Sequence, residues 1–314
     1  MAMSGSEAWP PLPYAEWQDT YRTLHLWTQI VGKVRLACEP WLNHSWHTTL
    51  HVTPRGLGTG PIPVRERTVD IEFDFVASVL RVRSDGPEML LPLSATPVAE
   101  FYRMLTEALE ELGAAVVIGT SPNEIADAIA FPSDVAPRVY EPAQALRYFQ
   151  VLTQVDRVFK RFRTGFLGKA SPVHFFWGGF DLAVTRFSGR TAPLHPGGIP
   201  NMPDAVTREA YSHEVSSAGF WPGGPGAEEA LFYAYAYPEP PGFRTAAGAP
   251  AAARYDTQLG EYVLPYEAVR TAADPEALLM QFLQATYEAA ADSAGWDRAA
   301  LECPLGECGR PRVI

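Results

Sequence analysis

The chain has 314 residues, of which 47% are hydrophobic and 19% charged, with a formal net charge of −11 at pH 7. This composition supplies enough apolar residues for a core and excludes global disorder, and the acidic balance argues against nucleic acid or an anionic membrane as the main partner. No apolar run approaches the roughly 18 residues of a membrane span. Residues up to Pro13 also lack the features of a signal peptide, so we expect a cytoplasmic location.

The first predicted element is a helix from Pro13 to Cys38, where apolar residues recur at spacings of three and four. An extended stretch is predicted to open at Asn43–His47 and to continue into a strand. Further strands are predicted at residues 68–75, 79–83 and 89–93 from their alternating or apolar patterns. The next helix is expected to begin with Thr96 as its N-cap and Pro97 in its first turn.

The second part of the chain repeats this order. A helix is predicted from Pro142 to Phe166 and an extended stretch from residue 173 to 185. Strand candidates follow at residues 211–220, 231–237 and 261–266, and a closing helix runs from Asp274 to about Ser293. The order of helix, about four strands and helix thus occurs twice, which indicates an internal duplication; a coincidence of common patterns is the alternative.

We therefore predict an α+β fold with two pseudo-repeated halves, each a helix, an antiparallel sheet of about four strands and a helix. The expected division is a first half over residues 9–120, a linker over 121–141, a second half over 142–298 and a mobile tail over 299–314. Three cysteines are too few for a disulfide framework, and we interpret Cys303 and Cys308 as an incidental pair in the tail, with a half metal site or a tail disulfide as the alternatives.

Candidate catalytic residues occur in two strands. In the polar strand at 211–220, His213 is a candidate base or metal ligand and Glu214 a candidate acid/base, but alternation places them on opposite faces. One solvent face and one satisfied hydrogen-bond network is the alternative. In the other strand, His174 lies between aromatic residues as a base, a ligand or a neutral core histidine. Arg186 is expected on the same face as His174, where it would hold an anionic group.

A divalent metal, zinc or iron, is a further hypothesis. If the halves pack pseudo-symmetrically, His44 or His47 would meet His174 or His213 at the shared seam, and a site of histidines and a glutamate suits such ions. His47 and His51 alone are no zinc pair, because residues four apart in a strand lie about 13 Å apart.

The predicted substrate pocket is lined by aromatic and small polar residues of the same segments: Trp46, Phe176, Trp177, Tyr211, Ser216 and Trp221. Phosphate-binding glycine loops, a nucleophile elbow and a histidine-rich zinc helix are missing from the sequence, which disfavours the common nucleotide-binding and hydrolase folds.

Two long stretches carry a resemblance to a known family. They are HFFWGGFDLAVTRFSGR at residues 174–190 and REAYSHEVSSAGFWPG at 208–223, and WPPLP at 9–13 and NHSWH at 43–47 fit it as well. On these motifs the sequence resembles a bacterial family of unknown function, DUF5996, over nearly the whole chain. The resemblance implies one integral unit that includes the polar strand, and it carries no established mechanism.

We expect a small-molecule enzyme that uses His/Glu acid–base or metal-assisted chemistry, such as hydrolysis, elimination or isomerisation, in an aromatic-lined pocket. A non-catalytic small-ligand-binding protein is the alternative, and a structural or partner-binding protein is a third interpretation. The expected partner is a small molecule, not nucleic acid or a membrane. The oligomeric state stays open.

Overall fold

A computed structural model describes residues 8–225 and 227–312. The α-helices are α1 (Tyr14–Cys38), α2 (Val98–Glu111), α3 (Pro142–Arg163), α4 (Asp204–Ala210), α5 (Tyr266–Arg270), α6 (Pro275–Ser293) and α7 (Arg298–Leu301), and short 3-10 helices cover Asn43–Thr48, Phe131–Ser133 and Phe243–Thr245. Over these described segments, no helix combines the length and the apolar character needed to cross a membrane.

The strands form two antiparallel sheets of six strands each. The first contains β1 (His51–Val52), β2 (Gly56–Gly58), β3 (Ile62–Val64), β4 (Arg67–Asp74), β5 (Val79–Ser84) and β6 (Glu88–Pro92). The second contains β7 (His174–Phe176), β8 (Asp181–Thr191), β9 (His213–Trp221), β10 (Leu231–Tyr237), β11 (Arg254–Asp256) and β12 (Glu261–Pro265). The predicted α+β class is confirmed. The sheets have more strands than expected because strands of two or three residues are too short to show an alternating pattern.

Both sheets are meanders in which strands near in sequence pair with each other. The first has the order β1-β2-β4-β5-β6 with β3 on β4, and the second has the order β11-β12-β10-β9-β8-β7. The two sheets meet at their first strands: the Leu50 amide donates to the Phe175 carbonyl (2.9 Å), and the Phe175 amide donates back to Leu50 (2.7 Å). This arrangement is consistent with two related halves, each of which starts its sheet at the common edge.

Helix α1 connects the two halves. Trp27 stacks on Phe101 of α2 with ring centroids 4.7 Å apart, and Trp17 stacks on Tyr148 of α3 at 4.9 Å. Polar residues of α1 such as Gln29 are also buried, so this helix is enclosed on most of its surface. Its buried polar side chains therefore need partners inside the protein.

The structure shows which residues cap the N-termini of α6 and α2. Asp274, where the closing helix was expected to start, caps α6, because its carboxylate accepts from the Ala277 amide (3.0 Å). The expectation for Thr96 is wrong: Pro97 is the N-cap residue and α2 begins at Val98. The Thr96 hydroxyl instead hydrogen-bonds the Ser94 hydroxyl (3.1 Å) within the preceding turn.

The predicted linker and tail both pack on the rest of the chain. Residues 121–141 contain one short 3-10 helix, and the Thr23 hydroxyl donates to the Val139 carbonyl (2.8 Å). In the tail, the Leu301 carbonyl accepts from the Leu167 amide (2.7 Å), and the Cys303 thiol hydrogen-bonds the Thr164 carbonyl (3.3 Å). The cysteines are free thiols.

Candidate functional site

A cavity of about 580 Å³ lies on one face of the second sheet. Strands β7 to β10 supply one wall. The others come from α4 and the loop before it, from the end of α1 and the 3-10 helix Asn43–Thr48, and from residues 123–124 of the linker. Both halves and the linker thus contribute to one cavity of a size typical for small-molecule sites.

The strand register decides which side chains face the cavity. Directly opposed residues of antiparallel strands share a face, and Gly219 is opposed to both Ala183 and Tyr233. Asp181, two residues before Ala183, and Tyr235, two residues after Tyr233, lie on that same face. A Cβ on Gly219 would lie 2.2 Å from the ring of Tyr233, so glycine leaves the space in which this ring crosses the sheet.

Two carboxyl groups approach each other over the turn between β7 and β8. A Cβ on Gly178 would lie 1.9 Å from Oε1 of Glu124, so the carboxyl rests directly on this glycine. A Cβ on Gly179 would lie 2.7 Å from Oδ1 of Asp181 and 3.9 Å from Oε2 of Glu124. The glycine pair therefore leaves the room that both carboxyl groups occupy.

The position of Glu124 is fixed from α1. The Gln29 side-chain amide donates to the Asn123 carbonyl (2.8 Å) and accepts from the Asn123 amide (2.7 Å), and Lys33 Nζ donates to Oδ1 of Asn123. Glu124 itself has a φ of +59°, in the left-handed region that glycine favours. Buried polar residues of the helix thus hold the linker in the turn that brings this carboxyl to the cavity.

His25 of α1 supports the turn between β7 and β8, on which the Glu124 carboxyl rests. Its Nε2 hydrogen-bonds the Gly178 carbonyl (2.7 Å), and its ring lies 5.3 Å from the ring of Phe180, which has a φ of +60°. Burial lowers the pKa of His25 to about 4. The imidazole is therefore neutral near pH 7, and its N–H donates to the carbonyl.

The two carboxyl groups have raised pKa values. Burial raises the pKa of Glu124 to about 7, and the charge of Asp181 adds to the shift. The Glu124 residue as a whole is exposed to solvent, but its carboxyl group rests against Gly178 and is mostly surrounded by protein. Burial raises the pKa of Asp181 to about 6, and the Tyr233 hydroxyl, which donates to Oδ2, opposes this shift. Glu261 on β12 also has a pKa of about 7, mainly through burial.

Hydroxyl groups and one histidine complete the polar part of the wall. The Tyr211 hydroxyl donates to the Tyr235 hydroxyl (3.0 Å). His44 hydrogen-bonds the Ala210 carbonyl through Nδ1 (3.0 Å), and burial lowers its pKa. Since a carbonyl only accepts, the proton of the neutral ring is on Nδ1, and Nε2 is a hydrogen-bond acceptor.

Chemically, this arrangement provides a proton donor and a proton acceptor in one cavity. With pKa values of about 7 for Glu124 and about 6 for Asp181, the two carboxyl groups titrate close to neutral pH and together can hold one proton. Pairs of carboxyl groups with separated pKa values are the arrangement by which enzymes combine general acid and general base catalysis.

A family model described as a family of unknown function, DUF5996, matches residues 9–303 of the 314 residues. The chain belongs to this family. The comparisons with curated proteins and with solved structures gave no match.

In this DUF5996 chain, the residues predicted to line the pocket are divided. Phe176, Trp177 and Tyr211 lie in the cavity wall. Trp46, Ser216 and Trp221 do not line it. The ring of Trp46 packs on Phe187 with centroids 5.8 Å apart, beside Lys169, and alternation turns Ser216 to the opposite face of the sheet.

His174 is a buried histidine on the cavity face of the sheet that does not itself line the cavity. Its side chain is fully buried, and neither ring nitrogen has a hydrogen-bond partner in the part of the chain that the structure describes. Its ring packs edge-on against Phe176 with centroids 4.4 Å apart, and burial holds its pKa well below the usual range. These surroundings are those of a neutral core histidine.

The other predicted catalytic residues lie away from the cavity. His213 is exposed at the start of β9, and Glu214 accepts from Arg190 (2.6 Å) and from the Ser188 hydroxyl (2.9 Å). The expectation that Arg186 shares a face with His174 is wrong. His174 is opposed to Ala183, and the three-residue step from there to Arg186 changes the face.

Arg186 instead points toward the helices behind the sheet. Its guanidinium lies 3.6 Å from the ring centroid of Phe162 and 4.3 Å from that of Tyr287, and it donates to the Phe162 carbonyl (2.5 Å). Burial lowers its pKa to about 10. Its contacts are those of a side chain that packs helices α3 and α6 onto the sheet.

The structure does not bring the four histidines of the metal hypothesis together. Within residues 8–225 and 227–312, no group of three or more His, Cys, Asp or Glu side chains is arranged to hold a metal ion. The extended stretch expected at residues 43–47 is also wrong, because Asn43–Thr48 is a 3-10 helix in which His44 (φ +61°) and Ser45 (φ +51°) are left-handed. This turn places His44 in the cavity wall, and His47 hydrogen-bonds the Leu42 backbone instead.

Sequence reasoning missed Glu124, Asp181, Tyr233 and His25. The signal for Asp181 was the glycine pair just before it, since such a pair allows close approach. His25 lies in a helix that carries many other polar residues, so its residue type alone did not distinguish it. Glu124 had none, because its position depends on tertiary contacts of a segment that reads as a linker.

Proposed function

We propose that this protein is a small-molecule enzyme in which Glu124 and Asp181 are the acid–base pair. The observation that carries the proposal is the approach of two carboxyl groups over Gly178 and Gly179, in the wall of a 580 Å³ cavity, with pKa values of about 7 and 6. Groups that titrate close to the working pH exchange protons most effectively.

In the proposed reaction, ionised Asp181 takes a proton from the substrate and protonated Glu124 gives one to another atom of it. The two transfers leave the number of protons on the protein unchanged, as an isomerisation or the elimination of water requires. Tyr233, which donates to Asp181, orients this carboxylate as a positioning residue. The rings of Phe176, Trp177 and Tyr211 would hold the apolar part of the substrate.

The test is a conversion assay. The purified protein is incubated with a defined mixture of small metabolites, and mass and NMR spectra are searched for compounds that disappear or change. The variants Glu124→Gln and Asp181→Asn should lower any conversion about 100- to 10,000-fold, the usual contribution of a general acid or base. Conversion that persists in both variants would contradict the proposal.

Glu214→Gln is the matched control, because it makes the same substitution at a carboxylate that is paired with Arg190 outside the cavity. It should retain conversion, as should His213→Ala at an exposed position. Compounds that bind to the wild-type protein without changing would favour the alternative, a non-catalytic small-ligand-binding protein. Loss of folding in both carboxyl variants would point to a structural network.

A further inference from the structure

We propose that the ligand of this cavity is a small organic amine in its cationic form, with an aromatic or apolar body. The inference rests on the proposed function, because it assigns a substrate class to the same cavity. Its support comes from the charges, the unpaired acceptors and the aromatic side chains of the wall.

The formal charges in the cavity wall are negative. Glu124 and Asp181 line it, and no lysine or arginine does so among the described lining residues. Lys33 lies close by, over the ring of Trp177, but it donates to Asn123 and is not part of the wall. An anionic ligand would therefore meet two carboxyl groups without a cation to offset them.

A buried carboxylate in the first sheet, unlike the two in the cavity, is paired with arginines. There Asp74 is also buried, and it is paired with Arg55 (2.5 Å) and Arg81 (2.8 Å). Over the described residues, neither Glu124 nor Asp181 forms an ion pair. The ionised carboxylate of the pair, Asp181, therefore lacks a positive partner in costly protein surroundings, and a cationic ligand would supply it.

The free acceptors suit an ammonium group. Asp181 uses Oδ2 for the Tyr233 hydroxyl, and no donor to the Glu124 carboxyl occurs in the described part of the chain. An ammonium carries three N–H donors, enough to bond both carboxyl groups at once. Thr207 in the same wall is 1% exposed and its hydroxyl has no partner among the described residues, so it is a further candidate contact for a polar ligand group.

The aromatic part of the wall suits the rest of such a molecule. Trp41, Phe176, Trp177 and Tyr211 line the cavity. Aromatic faces attract cations and also bury the apolar body of a ligand. The ligand class thus combines a positive head near the carboxyl pair with an apolar body against the rings.

The experiment compares three molecules of similar size by calorimetry: 2-phenylethylamine, 2-phenylethanol and 3-phenylpropionate. The amine should bind at least about 10-fold more tightly than the alcohol, and the carboxylate should not bind measurably. Glu124→Gln and Asp181→Asn should each weaken amine binding about 10-fold or more and change alcohol binding less than about 3-fold. Glu214→Gln is the control and should change neither.

Equal binding of the carboxylate and the amine would overturn the assignment, as would unchanged amine affinity in both carboxyl variants or no amine binding at about 10 mM. A second variant separates this failure from that of the proposed function. Ala205→Phe places a larger side chain at an exposed position of α4 in the cavity wall. If the alcohol or the carboxylate binds to the wild-type protein and Ala205→Phe abolishes that binding, the cavity takes a ligand of a different chemical class. The proposed function is contradicted separately, by conversion that survives both Glu124→Gln and Asp181→Asn.

Discussion

The substitution Glu124→Gln should remove a carboxyl titration centred near pH 7. With a pKa of about 7, half of the Glu124 side chains are protonated at pH 7. A glutamate with the ordinary pKa of 4.5 would be protonated to only about 0.3% at that pH. The protonated fraction at neutral pH therefore separates the two cases by two orders of magnitude.

Side-chain ¹³C labelling of glutamate, followed by NMR across pH 4 to 9, measures this fraction directly. Two glutamates should titrate near pH 7, because Glu261 also has a pKa of about 7. The Glu124→Gln spectrum should keep one of them, and Glu214→Gln should keep both. In Asp181→Asn the pKa of Glu124 should fall, since the charge of Asp181 contributes to raising it. A wild-type protein with no glutamate titrating above pH 6 would refute this reasoning.

The same group should affect stability. A carboxyl whose pKa is raised on folding binds more protons when folded, so its contribution to the free energy of unfolding falls from about pH 4.5 to about pH 7. The slope is at most about 1.4 kcal/mol per pH unit and is smaller here because solvent reaches Glu124. His25, with a pKa lowered to about 4, gives the opposite slope between pH 4 and 6.5. The difference between wild type and Glu124→Gln in urea unfolding isolates the carboxyl, and identical pH profiles would contradict its raised pKa.

Three further substitutions test the site. Gly178→Ala places a Cβ where Oε1 of Glu124 lies, so it should weaken ligand binding or conversion about 10-fold with little change in Tm; unchanged function would contradict the observed carboxyl position. Tyr233→Phe should raise the pKa of Asp181 above about 6 in aspartate-labelled NMR spectra, because the ionised form loses a donor. His174→Leu should keep conversion and keep or raise Tm, since both buried ring nitrogens lack partners in the described structure; lost conversion in a folded variant would restore His174 as a catalytic candidate.

Much of the fold could be predicted because it depends on local patterns. The period of Trp17, Tyr21, Leu24 and Trp27 predicts α1, and the alternation of residues 68–75 predicts β4. Short strands and the turn at Asn43–Thr48 could not be predicted, since they are fixed by pairing and packing rather than by a repeat.

The candidate site was predicted only in part. The stretch at 174–190, which resembles the family, contains Phe176, Trp177 and the glycine pair, and all four residues line the cavity. His213 and His174 were predicted as bases or metal ligands because imidazole can serve as either. In the described structure, however, His213 is exposed and the ring nitrogens of buried His174 have no hydrogen-bond partner. A sequence does not state whether a titratable residue points into a cavity, into the core or into solvent.

The sequence by itself determined the helices, most of the strands and the two-half α+β organisation, because these follow from residue periodicity along the chain. Only the tertiary structure decided which carboxyl groups meet. Gln29 of α1 holds the linker, the linker carries Glu124, and the turn at Gly178 and Gly179 brings Asp181 to it. These contacts join segments far apart in sequence. The pKa values of the two carboxyl groups and their chemistry therefore arise from packing, which no local sequence pattern predicts.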